Sequence, residues 1–425
     1  MENSFGERSA SRPDVPASGQ RAQRRAICFL SLIAVSLILL TACTGAVSGE
    51  KGWSTPTIEN DVLYVGSRSG ELFAIPINRD LRDLTESAID PPKLRDNELD
   101  YLWKFPRDSQ EALLDDVQAI YSQPIVVGDM VYIAINREAD RIGEVGTVYA
   151  LTFDASEDTG NRRERARVEE VWSEEFNAQG RIFGSVTYDE GTLYFADDQG
   201  YIYALDAASG DTRWTPKKIS DERFWSTPAV ADGVIYIGGM DHKLYALDAE
   251  TGALVWGRPF EADGAIASKP LVVGSTVYVG AFDRKFYAID TLTGEARDSI
   301  EGDNWFWNDA IIHEGTIFVG TLGEEFYALR PDDLSIVWRY PREGLEGQRD
   351  FLGPVRSRSV AAGERVFVAT RDGLVRAFDV QTGEPVGRPQ SSTKKILASF
   401  AMDDARIYLH DVDDRLQSMD FRRAE

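Results

Sequence analysis

A short phrase that keeps returning constrains this chain more than any other feature. It reads Leu244-Tyr245-Ala246-Leu247-Asp248-Ala249-Glu250-Thr251-Gly252 in one place and Ile202-Tyr203-Ala204-Leu205-Asp206-Ala207-Ala208-Ser209-Gly210 in another. Shorter copies are Phe286-Tyr287-Ala288-Ile289-Asp290, Phe326-Tyr327-Ala328-Leu329 and Val375-Arg376-Ala377-Phe378-Asp379, with fainter ones around Ala74, Ala150 and Ser418. The aligned small residues are 74, 150, 204, 246, 288, 328, 377 and 418, spaced by 76, 54, 42, 42, 40, 49 and 41. A period of this length marks a repeat architecture, in which each unit buries its apolar face against its neighbours. Eight units with a basal period near 42 therefore account for most of the 425 residues. A chain of this length would otherwise be divided into two or three domains.

Each unit has the same internal order. Pro228-Ala229-Val230 is a first strand and Ala231-Asp232-Gly233 a turn. Val234 to Gly238 is a second strand, the Tyr-Ala-Leu-Asp phrase a third, and a Thr-Gly turn leads to a fourth that ends in Trp256. The strands alternate and are rich in Val, Ile and Tyr, while Gly and Asp occupy the turns where positive φ or an Asx-turn is needed. No segment with helical periodicity follows residue 40, which excludes helical and leucine-rich repeats. The expected fold is all-β, an eight-bladed β-propeller of four-stranded blades over residues 52–425, with insertions at 76–100, 106–119, 136–146 and 154–170. The last unit lacks a fourth strand, and residues 43–51 are expected to supply it and seal the ring.

The fullest unit carries Ala246, Asp248, Thr251, Gly252 and Trp256, and Ala204, Asp206, Ser209, Gly210 and Trp214 nearly repeat it. This pattern resembles the tryptophan-docking repeat of the pyrroloquinoline-quinone-like β-propellers, over a stretch from about Trp53 to Asp420. The resemblance implies that each indole wedges between neighbouring blades, so Ala204, Gly210, Trp214, Ala246, Gly252 and Trp256 are expected as structural docking residues. Asp298 and Gly387 stand where Trp is expected, and Leu334 replaces the turn Gly. Those blades are expected to be held less tightly.

The N-terminus reads as an address. Arg21, Arg24 and Arg25 precede an apolar run of 14 residues from Ile27 to Leu40, shorter than the roughly 17–25 that a membrane-spanning helix needs. A signal-peptide core behind a positive region fits it, with residues 1–42 removed on export. Leu40-Thr41-Ala42-Cys43 resembles the lipobox of bacterial lipoproteins, which implies a lipidated Cys43 as the mature terminus. Residues 1–42 hold five Arg and three acids, so the formal charge of -24 becomes -24 - 2 = -26 after their loss. Such a balance repels polyanions and argues against a nucleic-acid partner.

In a propeller the first strand lines the axis. Aligned on that strand, Trp53, Tyr121, Phe183, Trp225, Ala267, Trp307, Arg356 and Leu397 form one column, followed by a small or polar one that includes Ser54, Ser122, Ser226 and Asn308. With Trp305 beside it, the first column is expected to form a partner-binding rim at one mouth of the channel, with exposed apolar surface. Quinoprotein alcohol dehydrogenases share the repeat, and that resemblance implies a quinone over a vicinal Cys–Cys disulfide, with calcium held by Glu and Asn. The only cysteines are Cys28 and Cys43, so no such pair exists in the mature chain. His242, His313 and His410 share no register and read as surface turn residues. No catalytic, cofactor-binding or metal residue is therefore assigned.

A signal-led, lipidated, eight-bladed propeller with these repeats resembles the BamB family of outer-membrane assembly lipoproteins. The resemblance implies a non-catalytic protein-interaction scaffold of the cell envelope, anchored to a membrane through its N-terminal lipid and working beside an outer-membrane assembly complex. The alternatives are a quinone-dependent dehydrogenase and an extracytoplasmic ligand-binding sensor.

Overall fold

The computed structural model describes residues 54–86, 91–94, 99–106, 120–139, 143–154, 166–341, 353–392, 394–404 and 406–420. The chain divides into two units, residues 1–51 and 52–425, and every described residue belongs to the second. The signal peptide, Cys43, the segment 43–51 and Trp53 lie outside the described residues, as do most of 106–119 and the middle of 154–170. No described helix is long and apolar enough to cross a membrane.

The second unit is an eight-bladed β-propeller, built of eight antiparallel sheets in chain order. Blade 4 shows the plan, with strands Ala229–Ala231, Val234–Gly238, Lys243–Asp248 and Phe260–Glu261 hydrogen-bonded in sequence. Its first hairpin turns through Asp232 and Gly233, with φ of 50° and 73°. Positive φ at both central residues is the turn whose twist matches that of the flanking strands. In blade 2, the insertion at 136–146 lengthens the middle strands to Met130–Ala139 and Gly143–Asp154.

Pairing across the sheet explains why the repeat keeps a small residue. Ala246 faces Tyr236, and the same large-to-small pairing joins Tyr64 to Ala74, Tyr194 to Ala204 and Tyr278 to Ala288. On the other side Trp103 pairs with Ala74, and Trp338 with Ala328. Ala74 (Tyr64 and Trp103) and Ala328 (Phe318 and Trp338) thus lie between two aromatics on one sheet face, where a longer side chain would overpack the blade.

The core is a set of layers between blades. Tyr236, Leu244 and Trp256 of blade 4 pack against Ile266, Val277 and Tyr287 on the blade 5 side. Trp172, Trp214, Trp256 and Trp338 each donate Nε1–H to a carbonyl of the next blade, those of Ala207, Ala249, Thr291 and Val380, at 3.1, 3.2, 2.9 and 2.8 Å. Their rings cover Gly210, Gly252, Gly294 and Gly383, where a Cβ would stand 2.6, 3.1, 2.6 and 2.5 Å from the indole. Trp172 and Trp338 join the expected docking residues.

The space left by the missing indole of blade 5 is filled from blade 6. Blade 5 offers Asp298 instead of an indole, and Leu334 at the facing turn of blade 6 fills the space itself. Leu334 is 1% exposed among Tyr278, Phe286 and Tyr327, at the cost of a φ of 50°. The loss of Trp and the loss of Gly compensate each other.

Ring closure uses the first insertion. Leu63, Val65 and Phe73 of blade 1 pack with Tyr408 and Leu416 of blade 8. Blade 8 has three described strands, Ala401–Met402, Arg406–His410 and Leu416–Asp420. The start of its third strand is met by residues 92–94: Leu416 N–H donates to Pro92 O at 3.0 Å, and Leu94 N–H to Asp414 O at 2.9 Å. Helix α1 (Arg79–Thr85), capped by Asn78, sets the Thr85 hydroxyl 2.8 Å from that of Ser418. A staple from the insertion of blade 1 therefore covers part of the edge that the sequence reading leaves to residues 43–51.

Candidate functional site

The segment entering each inner strand is extended, so its side chains alternate between the inter-blade core and the axis. Ile182, Phe224, Ile266, Phe306 and Val355 point into the core and are fully buried. Their successors Phe183, Trp225, Ala267, Trp307 and Arg356 line a central cavity of about 110 Å³, together with Tyr121 and Leu397. The aligned column is thus brought together at one mouth, apart from Trp53, which lies outside the described residues.

The rim is a continuous aromatic series. Tyr121 meets Phe183 edge-on at 5.1 Å, Phe183 meets Trp225 edge-on at 6.0 Å, and Trp225 meets Trp307 at 6.0 Å. Trp225 and Trp307 sit two blades apart and touch because Ala267 between them carries only a methyl group. Phe282, from a turn of blade 5, stacks on Trp307 at 5.0 Å and on Trp305 at 4.6 Å. Sequence reading missed Phe282, which belongs to a different register; its backbone N–H donates to Ala265 O at 2.9 Å, which holds that turn beside the rim. Arg356 lies over the Trp307 ring at 5.0 Å.

The rim is less exposed than expected, because these rings cover one another. The large exposed apolar side chains, such as Leu254, Leu292 and Ile336, lie elsewhere in the blades. His410 is also corrected: it is 3% exposed, with Nε2 2.9 Å from Asp414 Oδ1, because the loop that follows folds over it.

Below the rim, two belts tie the blades together. Ser54 Oγ donates to Ser122 O and Ser226 Oγ to Ser268 O, both at 2.8 Å. One residue further on, a backbone N–H donates to the side-chain oxygen at the same position of the next blade. Gln123 donates in this way to Ser185 at 2.9 Å, Ser185 to Thr227 at 2.8 Å and Lys269 to Asp309 at 2.7 Å. Arg358 donates to Ser399 at 2.6 Å, and Ser399 to Thr55 at 3.3 Å. Asp309 lines the cavity, and both it and Lys269 lie deep in the wall. Burial lowers the Lys269 pKa, opposed by the Asp309 charge and helped by that of Arg358. Burial raises the Asp309 pKa, against the Lys269 backbone hydrogen bond and both cations.

These residues do not fit the quinone seat of a dehydrogenase. The described propeller has no cysteine, and Asp309, the one carboxylate lining the cavity, is engaged by the belt. Among the described residues no group of three or more His, Cys, Asp or Glu could hold a metal ion.

A family model described as "Outer membrane protein assembly factor BamB" matches residues 97–216, 157–301, 265–395 and 335–425. The structure is similar to that of BamB from Moraxella catarrhalis, at 18% identity and a TM-score of 0.60, covering 86% of this chain and 96% of that one. A computationally designed protein, Ika8, is similar at 12% identity and a TM-score of 0.64, covering 88% and 97%. Quinohemoprotein alcohol dehydrogenase from Comamonas testosteroni is similar at 13% identity and a TM-score of 0.56, covering 85% and 70%. At these identities the likeness shows the propeller fold alone. No curated protein matches the chain.

Proposed function

We propose, from the premise that the chain belongs to the BamB outer membrane protein assembly factor family, that it is a lipid-anchored, non-catalytic interaction scaffold of the cell envelope. Its finer role in this reading is to hold a component of an outer-membrane assembly complex at the channel mouth. The observation that carries the mouth assignment is the aromatic series from Tyr121 to Trp305, with Arg356 beside it. Rigid aromatics and Arg give large contact area at low entropic cost, and such residues dominate interface energetics. Cys43 supplies the membrane tether in this reading, which places the propeller outside the cytoplasm.

The test is site-specific photo-crosslinking from Trp225 and Trp307 in cells, followed by identification of the captured protein. An outer-membrane assembly component is the expected capture, and Trp225→Ala/Trp307→Ala should weaken that association. Recovery of no envelope protein, with wild-type behaviour of the double variant, would overturn the mouth assignment. Dehydrogenase turnover on adding pyrroloquinoline quinone, calcium and a dye acceptor would overturn the non-catalytic reading.

A further inference from the structure

We propose that the protein docked at the mouth inserts one acidic side chain, an Asp or a Glu, into the central cavity, where Arg358 holds its carboxylate and Arg356 lines the way in. This rests on the docking role proposed above and adds to it the chemistry of the partner.

The first observation is a two-step ladder of cations. Extended chain returns to the same side at every second residue. Val355, Ser357 and Ser359 are buried in the wall, and Arg356 and Arg358 between them both line the cavity. Arg356 stands at the rim, over the Trp307 ring. Arg358 follows about 7 Å of extended chain further in.

The second observation is what Arg358 gives up. At its belt position Thr55, Ser185, Thr227, Asp309 and Ser399 each accept an N–H from the preceding blade. A guanidinium has donors and no acceptor. Arg358 takes part in the belt only through its backbone N–H, which donates to Ser399 at 2.6 Å. Its guanidinium makes no ion pair or hydrogen bond among the described residues, although Asp309 feels its charge. A planar donor fork of this kind matches a carboxylate through two parallel hydrogen bonds.

The third observation is a reversal of sign. The chain carries 70 acidic against 46 basic residues, yet two Arg and one carboxylate, Asp309, line the cavity. That carboxylate is already engaged, accepting the Lys269 N–H at 2.7 Å. The net charge of -24 repels an acidic partner in general. A local surplus of cations at the mouth therefore also fixes where such a partner docks.

Volume selects the length of the entering group. A cavity of roughly 150 Å³ holds the six heavy atoms of benzene, which leaves room for about four or five in a smaller one. The central cavity measures about 110 Å³. Its capacity is that of the carboxymethyl end of Asp or the carboxyethyl end of Glu. The partner backbone is too bulky to follow and stays on the aromatic rim.

The test uses the full chain and the protein captured by photo-crosslinking from Trp225 and Trp307, with the crosslinked segment mapped by mass spectrometry. That segment is expected to contain an Asp or Glu. Arg358→Gln should weaken the purified pair by about tenfold or more, because the inserted carboxylate loses its counter-charge. Changing one of the segment's acids to its amide should weaken it as much, and the two changes together should cost little more than either alone. Arg213→Gln, whose ion pair with Asp206 lies away from the cavity, should leave the affinity unchanged. Should Arg358→Gln fail to fold, the partner's substitutions against the native chain decide alone. A captured segment without Asp or Glu, full affinity of folded Arg358→Gln, no loss from any of the segment's acids, or additive losses in the double variant would each overturn the inserted acid and leave the docking role standing. No capture from either tryptophan would overturn the docking role and this proposal with it.

Discussion

The contact between Trp256 and Gly294 allows the repeat motif to be tested as an interaction between two residues. Trp256 is 4% exposed, and its indole donates to Thr291 O at 2.9 Å. Truncating such a side chain costs about 3–5 kcal/mol. Gly294 has a φ of 73°, and a Cβ there would stand 2.6 Å from Cδ2 and 2.9 Å from Cγ of Trp256. Gly294→Ala therefore carries two penalties. The left-handed backbone costs an L-residue about 1–2 kcal/mol, and overpacking adds about 1–3 kcal/mol.

The two penalties separate in a double-mutant cycle. Without the indole there is nothing for the new methyl to strike, so only the backbone cost of Gly294→Ala survives. Unfolding in urea, followed by far-UV circular dichroism, should show Trp256→Ala/Gly294→Ala to be less destabilised than the sum of the single variants, by about 1–3 kcal/mol. Gly274 supplies the control, with a φ of 55° and nothing within 4 Å of its built Cβ. Gly274→Ala should cost only the backbone term and add to Trp256→Ala. If Gly294→Ala is equally additive, within about 0.5 kcal/mol, the glycine is kept for φ alone and the indole does not dictate it.

Leu334→Gly relieves a strained φ but removes a buried side chain, so the balance of about 2–5 kcal/mol lost against about 1 kcal/mol regained predicts a lower Tm; a higher Tm would count against the compensation between Asp298 and Leu334. Asp290 is held down to about 2, first by Arg297 and then by the Thr293 N–H. A depressed acid stabilises the fold above its unfolded pKa of about 3.9, and that contribution fades as pH falls toward the folded value. Asp290→Asn retains an acceptor for the turn but not the charge, so urea midpoints should fall less steeply between pH 4 and pH 2 than in the native protein; identical limbs would refute this. Cys43→Ser should abolish incorporation of a radiolabelled fatty acid and release the chain from the membrane fraction, whereas continued labelling would place the lipid on another residue.

The propeller was legible because its determinants are local and repeated. An Asp-Gly turn, an alternating strand and a small residue opposite a Tyr are each short-range features, and the sequence states them up to eight times. The rim column was legible for a related reason: extended chain alternates with period two, so one register choice sorts core from channel. What escaped had no repeat to amplify it. Phe282 reaches the rim from a turn in another register, and residues 92–94 reach blade 8 from an insertion. His410 is buried by a loop particular to its blade. Pairwise contacts between non-equivalent units leave no periodic trace, which is why the ring staple was invisible until the blades were in place.

Repetition also gives a way to separate structural from functional demands. Where equivalent positions face the same need, a departure must be compensated locally or must serve something else. The Asp298 and Leu334 departures belong to the first kind, since a missing indole in one blade is met by an added side chain in the next. Lys269 and Arg358 belong to the second. Each removes an acceptor from the belt, and no neighbouring residue restores it among the described residues. Burial in the wall works against the Lys269 charge. A stability-driven sequence would return these positions to Ser or Thr, as at Ser185 and Thr227, and close the belt. It follows that Lys269→Ser and Arg358→Ser should leave the protein as stable as the native chain or more so. Loss of stability in both variants would instead return these cations to the structural belt.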